Sequence, residues 1–253
     1  MRRLLSITVL LAIIALAGAT IFISLGSRGE RDNYFNRNWR GDVSRYPFLR
    51  TVFSLHNDGD GKDDYVKDKY GRIFIQVDAM EGIEVRNIIL GEVASKIGSL
   101  TGKEVIFEKI NTNVPFKEVT DEGEIEKMVE NNKQPRKGEA FLYLLFVNQK
   151  LNEEKLVGIT FKEYGIIIFA DALNTFTENV PRSADSYKIS TILHEFGHQL
   201  GLPHNDEPGC LMNEKVEMDR TPKPNPADVI VDFCPLERNA IRRSLAESAK
   251  APL

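Results

Sequence analysis

Residues 194–204 read His194-Glu195-Phe196-Gly197-His198-Gln199-Leu200-Gly201-Leu202-Pro203-His204, and no other stretch restricts the fold as strongly. Two histidines four apart on a helix are rotated by only about 40° from each other, so both imidazoles leave one face. That spacing lets His194 and His198 grip one metal ion. Gly201 gives the backbone access to the left-handed conformation that ends the helix. The chain turns there and brings His204 back as a third ligand. Three neutral imidazoles with one open position describe a catalytic zinc, one per chain, rather than a structural one. Glu195, beside His194, leans over the same site without being a ligand. The chain has only 4 histidines, and three of them stand in this stretch. The spacing arises by chance in on the order of one in 10⁵ chains of this size, so metal-free surface or core histidines are the weaker reading.

The stretch resembles the signature of the metzincin zinc peptidases, His-Glu-x-x-His-x-x-Gly-x-x-His followed by a methionine turn. Met212 stands in Gly209-Cys210-Leu211-Met212-Asn213, after the third histidine. The resemblance implies a thioether floor beneath the zinc. Met218 is the alternative, but its neighbours are charged. Among metzincins the pattern is most similar to the archaemetzincin group. In that group a Cys directly follows the third His, another stands two residues before the Met, and a Cys-x-x-Cys comes later. Cys210 and Cys234 match two of these four positions, whereas Asn205 and Glu237 occupy the others. A second zinc on four thiolates therefore cannot form. The resemblance covers roughly residues 72–245. It implies an α+β fold with a twisted mixed sheet, packed helices, an active-site helix carrying the zinc motif, and a small irregular C-terminal subdomain ending in a helix.

The chemistry follows from the ligand set. Zinc acidifies its bound water toward neutral pH, and Glu195 takes the proton and passes it to the leaving amine. The expected reaction is endopeptidase hydrolysis, and the partner a peptide or protein. By resemblance the substrate lies extended along an edge strand near Leu156–Phe161, and residues 211–233 wall a side-chain pocket. Two other readings stay open: a zinc-binding module without proteolytic activity, and an amidase acting on cell-wall peptides. The carboxylate of Glu195 speaks against a purely structural zinc.

The N-terminus stands apart. Arg2 and Arg3 precede Leu4–Leu25, an uncharged run. As a helix it would span about 33 Å, enough for a bilayer core of about 30 Å, with the positive flank cytoplasmic. Residues 1–27 are read as a membrane anchor that leaves the rest extracytoplasmic. The alternative is a signal peptide cut after Ala17-Gly18-Ala19, with secretion. Residues 28–70 read as a juxtamembrane stalk. An inhibitory segment in which an Asp acts on the zinc is the second reading there; a cysteine version is excluded, since no Cys precedes the motif. Within the stalk, His56-Asn57-Asp58-Gly59-Asp60-Gly61-Lys62-Asp63-Asp64 looks like a Ca²⁺ loop. The EF-hand register fails, because Lys67 stands where the twelfth-position Glu belongs. A solvated turn explains the composition at least as well. The net charge of −4 argues against a nucleic-acid partner. The oligomeric state is not legible.

The catalytic domain is placed at 71–253, with an upper part at 71–204 and a lower part at 205–253. Ile73–Asp78 and Glu104–Ile110 read as strands. Glu84–Leu100 reads as an amphipathic helix with Val85, Ile88, Ile89, Val93, Ile97 and Leu100 inward, and Asp121–Glu130 as a short helix. Ala140–Asn148 and Gly165–Ala170 are near-continuous apolar runs, as buried central strands should be. Leu156–Phe161 is more polar and reads as an edge. The active helix begins after Pro181-Arg182-Ser183, with Ser183 as its cap. Pro208, Pro222, Pro224 and Pro226 keep 205–233 irregular, and Leu236–Ser248 closes the chain as a helix. Cys210 and Cys234 are the only cysteines, even in number and on the exported side. They are expected to form a disulfide; two free buried thiols are the alternative.

Overall fold

A computed structural model describes residues 16–26, 34–35, 39, 43, 46, 49, 52–53, 59–112, 114, 122–148, 157–213 and 222–248. Residues 4–15 of the apolar run, His56–Asp58, Leu156 and Met218 lie outside them. The chain divides into two compact units, 1–57 and 58–253. In the first, residues 16–26 are helical. No helix among the described residues is long and apolar enough to cross a membrane.

The second unit is built on one five-stranded sheet in the order β2-β1-β3-β5-β4. Its elements run α1 (Lys62–Val66), β1 (Arg72–Ala79), α2 (Asn87–Thr101), β2 (Glu104–Lys109), α3 (Glu122–Asn132), β3 (Ala140–Val147), β4 (Gly158–Phe161), β5 (Gly165–Phe169), α4 (Ala170–Thr177), α5 (Ala184–Gln199) and α6 (Pro235–Ser248). Strands β2, β1, β3 and β5 are parallel; β4 pairs antiparallel with β5, from Gly158 opposite Ile168 to Phe161 opposite Gly165. β1, β3 and β5 are buried nearly throughout, which their Ile, Leu, Val and Phe content requires of strands covered on both faces. The more polar β4 lies at the edge, as its composition suggested.

Several boundaries differ from those legible in the residues. The α2 helix starts at Asn87, not Glu84, and its buried stripe is Ile89, Leu90, Val93, Ala94 and Ile97. Ile88 points outward, at 70% exposure. Val85 is buried before the helix begins. The α4 helix follows β5 without a break: Phe169 occupies its N-cap and offers no side-chain acceptor, so no capping signal announces it. Ser183 does stand before α5, but its side chain makes no cap bond.

α5 packs on β4, β5, α2 and α4. Phe196 and Leu193, both fully buried, seat it on the core. Residues 59–66 close behind it. Tyr65 meets Phe196 edge-on at 5.3 Å and donates its hydroxyl hydrogen to the carbonyls of Phe141 and Glu163, at 2.9 and 3.2 Å.

Candidate active site

The end of α5 is a Schellman turn. Leu202 N–H donates to the Gly197 carbonyl at 3.0 Å and Gly201 N–H to the His198 carbonyl at 2.9 Å, with Gly201 at φ 79°. The turn does two things. It redirects the chain toward His204, and it presents the Leu202 carbonyl to His198 Nδ1 at 3.0 Å. His194 Nδ1 is held the same way, 2.9 Å from the Leu211 carbonyl. A carbonyl can only accept, so both Nδ1 atoms carry the proton and each Nε2 presents its lone pair as a metal ligand would.

Those Nε2 atoms converge. His204 Nε2 lies 3.1 Å from both His194 Nε2 and His198 Nε2. Two nitrogens on a tetrahedral zinc, each about 2.0–2.1 Å away, stand roughly 3.3 Å apart. The three imidazoles therefore fit one small divalent ion and form a group that could hold a metal. His194 is buried, His198 intermediate and His204 exposed, so the site opens on one side.

Glu195 is nearly buried, at 3% exposure. The Thr160 hydroxyl on β4 lies 2.9 Å from Glu195 Oε2 and 2.9 Å from the Glu195 backbone carbonyl. The carboxylate is thus packed under the edge strand beside the three histidines. Gln199 Nε2 donates to the carbonyls of Lys162 and Gly165, at 3.0 and 2.8 Å, which fixes the end of α5 to the β4–β5 turn. Thr160 and Gln199 bear on the site, yet no residue-level signal marks them.

Met212 is fully buried beneath α5. Its approach depends on Gly197: a Cβ there would lie 2.3 Å from Met212 Sδ and 3.1 Å from Phe233 Cε1. Cys210 and Cys234 are joined by a disulfide, with Cα atoms 5.0 Å apart. Asn205 and Glu237, which stand where archaemetzincins carry cysteines, lie beside it. Asn205 Nδ2 donates to Glu237 Oε1 at 3.2 Å. All four positions thus come together without four thiolates.

In the acidic, glycine-rich segment the described carboxylates of Asp63 and Asp64 form ion pairs, with Lys67 and Lys69, at 2.6 and 2.7 Å. Gly59, at φ 82°, stands so close to the helix-ending turn that a Cβ would meet Gly201 Cα at 2.6 Å. Among the described residues, no grouping able to hold a metal includes these carboxylates.

Residues 144–230, which span β3 to the lower part, match the Matrixin family of peptidases. No curated protein matches the chain. An archaemetzincin from Methanopyrus kandleri superposes with a TM-score of 0.50 at 15% identity, over 71% of this chain and 98% of its own. A zinc-dependent peptidase from Methanocorpusculum labreanum gives a TM-score of 0.43 at 15% identity, over 66% of this chain and 99% of its own. The chain is metzincin-like in sequence and has a fold like that of an archaemetzincin.

Proposed function

We propose that this metzincin-like chain is a zinc-dependent endopeptidase that hydrolyses peptide bonds through a zinc-activated water, with His194, His198 and His204 as metal ligands and Glu195 as general base. The observation that carries the reading is the convergence of three Nε2 atoms, with the Nδ1 atoms of His194 and His198 tied to carbonyls, beside a buried carboxylate that is not part of the set. Zinc in such a site supplies a Lewis acid that acidifies water and polarises a carbonyl.

The remaining work falls to the chain. Glu195 accepts the proton of the attacking water at a carboxylate oxygen and returns it to the amine nitrogen as the peptide bond breaks. Thr160 holds that carboxylate at Oε2 beside the three histidines. Met212, packed against Gly197, floors the metal centre. An extended peptide adds alongside β4, the antiparallel edge of the sheet, by main-chain hydrogen bonds. Residues 211–233, of which 214–221 lie outside the described residues, are assigned the wall of the pocket for a substrate side chain. The catalytic domain comprises residues 71–253, and 4–25 anchor it to a membrane with the catalytic part extracytoplasmic. A mature mass lacking the residues up to Ala19, rather than 28.6 kDa, would overturn the anchor.

The direct test is metal content and hydrolysis of a quenched peptide library, with and without chelator, on the wild type and on Glu195→Ala. One zinc per chain in both proteins is expected, with chelator-sensitive cleavage in the wild type alone. Zinc without cleavage in the wild type moves the reading to a binding module. Cleavage by the Ala variant refutes the role of Glu195.

A further inference from the structure

The buried carboxylate of Glu237 is used by no step above. It is 2% exposed, and among the described residues no Lys or Arg pairs with it. Neighbouring Arg238 is engaged by Asp232. Four N–H donors replace its water. Oε1 accepts from Met212 N–H at 2.7 Å and from Asn205 Nδ2 at 3.2 Å. Oε2 accepts from Cys234 N–H at 2.8 Å and from Leu211 N–H at 3.3 Å.

One of these bonds is ordinary. Glu237 is the third residue of α6, and a Glu there commonly reaches back to the backbone N–H that precedes the helix. The other three have no part in capping. They run to the residue after His204 and to the two residues at the centre of the methionine turn. Each of these segments supports a histidine. Leu211, whose N–H Glu237 accepts, offers its carbonyl to His194 Nδ1 at 2.9 Å. Asn205, whose side chain Glu237 accepts, adjoins His204 and donates its own N–H to the Met212 carbonyl at 2.8 Å.

We infer that Glu237 is a positioning residue for the three-histidine centre, gathering the segment after His204 and the methionine turn on one carboxylate so that His194 and His204 keep their metal-binding orientation. The inference rests on the proposed metal role of those histidines. A carboxylate suits the task because it is acceptor-only: all four partners donate, and its two oxygens can serve them together. Gln fills the same volume but turns an –NH₂ group toward two donors, leaving them unsatisfied.

The test uses the full chain, with Zn²⁺ affinity measured by chelator competition and the visible absorption of the Co²⁺-loaded protein as a probe of ligand geometry. Glu237→Gln is expected to weaken zinc binding about tenfold or more, in the range usual for supports one layer behind metal ligands, and to alter the Co²⁺ bands. Ile241→Ala, which opens a cavity under the same helix, serves as the stability control. It lowers the melting temperature but leaves both metal readouts at wild-type values. Wild-type affinity and spectrum in Glu237→Gln overturn the inference, as does an equal loss in Ile241→Ala, which would make the effect general loosening. Failure of the wild type itself to bind zinc refutes the metal reading instead, and is thereby distinguished. Should Glu237→Gln not fold, amide hydrogen exchange in the wild type decides: Leu211, Met212 and Cys234 must be protected, and exchange at exposed-amide rates overturns the assignment.

Discussion

At the residue scale, the group that controls Glu195 is a hydroxyl on another element. Thr160 has one hydrogen to donate and two acceptors at 2.9 Å, the Glu195 carboxylate and the Glu195 carbonyl. Donation to the carboxylate fixes its rotation beside the histidines. Thr160→Val keeps the β-branched shape of the edge strand and removes only the donor. A hydrogen bond to a charged group contributes about 1.5–3 kcal/mol, so kcat should fall by roughly ten- to a hundredfold. Zinc content and KM should stay near wild type, because ligands and strand edge are untouched. Steady-state kinetics beside metal analysis checks this; a change in KM alone would place Thr160 in substrate binding. This partnership shows why the site was only half legible. His194, Glu195 and His198 announce themselves because their geometry is local to one helix. Thr160 is 35 positions from Glu195, and Glu237 is 25 from Met212. Nothing in a lone Thr or Glu reveals which carboxylate or amide it will meet.

At the element scale, α5 must approach the methionine turn more closely than a side chain permits. Gly197→Ala would drive a methyl into Met212 Sδ and the Phe233 ring. Overpacking of this kind costs about 1–3 kcal/mol. Thermal or denaturant unfolding should show that loss, with weakened zinc binding as the turn moves away; unchanged stability would mean that Met212 repacks freely. A second element-level link ties α3 to the β4–β5 turn. Glu130 bonds Lys133, Tyr164 and Lys162 at 2.6, 2.7 and 3.1 Å. The Lys133 hydrogen bond leads, aided by Tyr164 and Lys162 and opposed by burial, and together they hold the Glu130 carboxyl at about 2. Depression below the ordinary carboxylate value means stability that is present at higher pH. It is lost as pH falls from about 4.5 toward 2. The side chain is 39% exposed, so screening limits the effect to about 1 kcal/mol or less. Glu130→Gln should lose up to that amount at neutral pH, flatten that part of a stability–pH curve and converge on the wild type near pH 2; denaturant unfolding across that range checks it. Elements were legible where burial is two-sided, as in β3 and β5. They were not where a strand passes straight into a helix, as at Phe169–Ala170, or where an apolar residue such as Ile88 faces outward beside a buried stripe.

At the scale of the whole catalytic unit, the weak part is the region after His204. Its described core is Leu211, Met212, Val229, Phe233 and Ile241, far too few apolar residues to fold alone. It holds by leaning on α5, by the Glu237 hydrogen bonds and by the disulfide. The disulfide closes a sequence separation of 24. In the chain-entropy picture such a loop stabilises by about 3 kcal/mol, through the unfolded state. For a unit of this size about 3 kcal/mol corresponds to roughly 6–12 °C in melting temperature. Replacing both cysteines with serine should therefore lower the melting temperature by about that amount, in one cooperative transition, because the lower part lacks a core that could melt separately. Calorimetry of the oxidised wild type and the double variant distinguishes the cases. A new low-temperature transition would show that the lower part unfolds by itself and that its docking on α5 is weak. An unshifted single transition would show that Glu237 and the Met212–Phe233 packing hold the region without the covalent link.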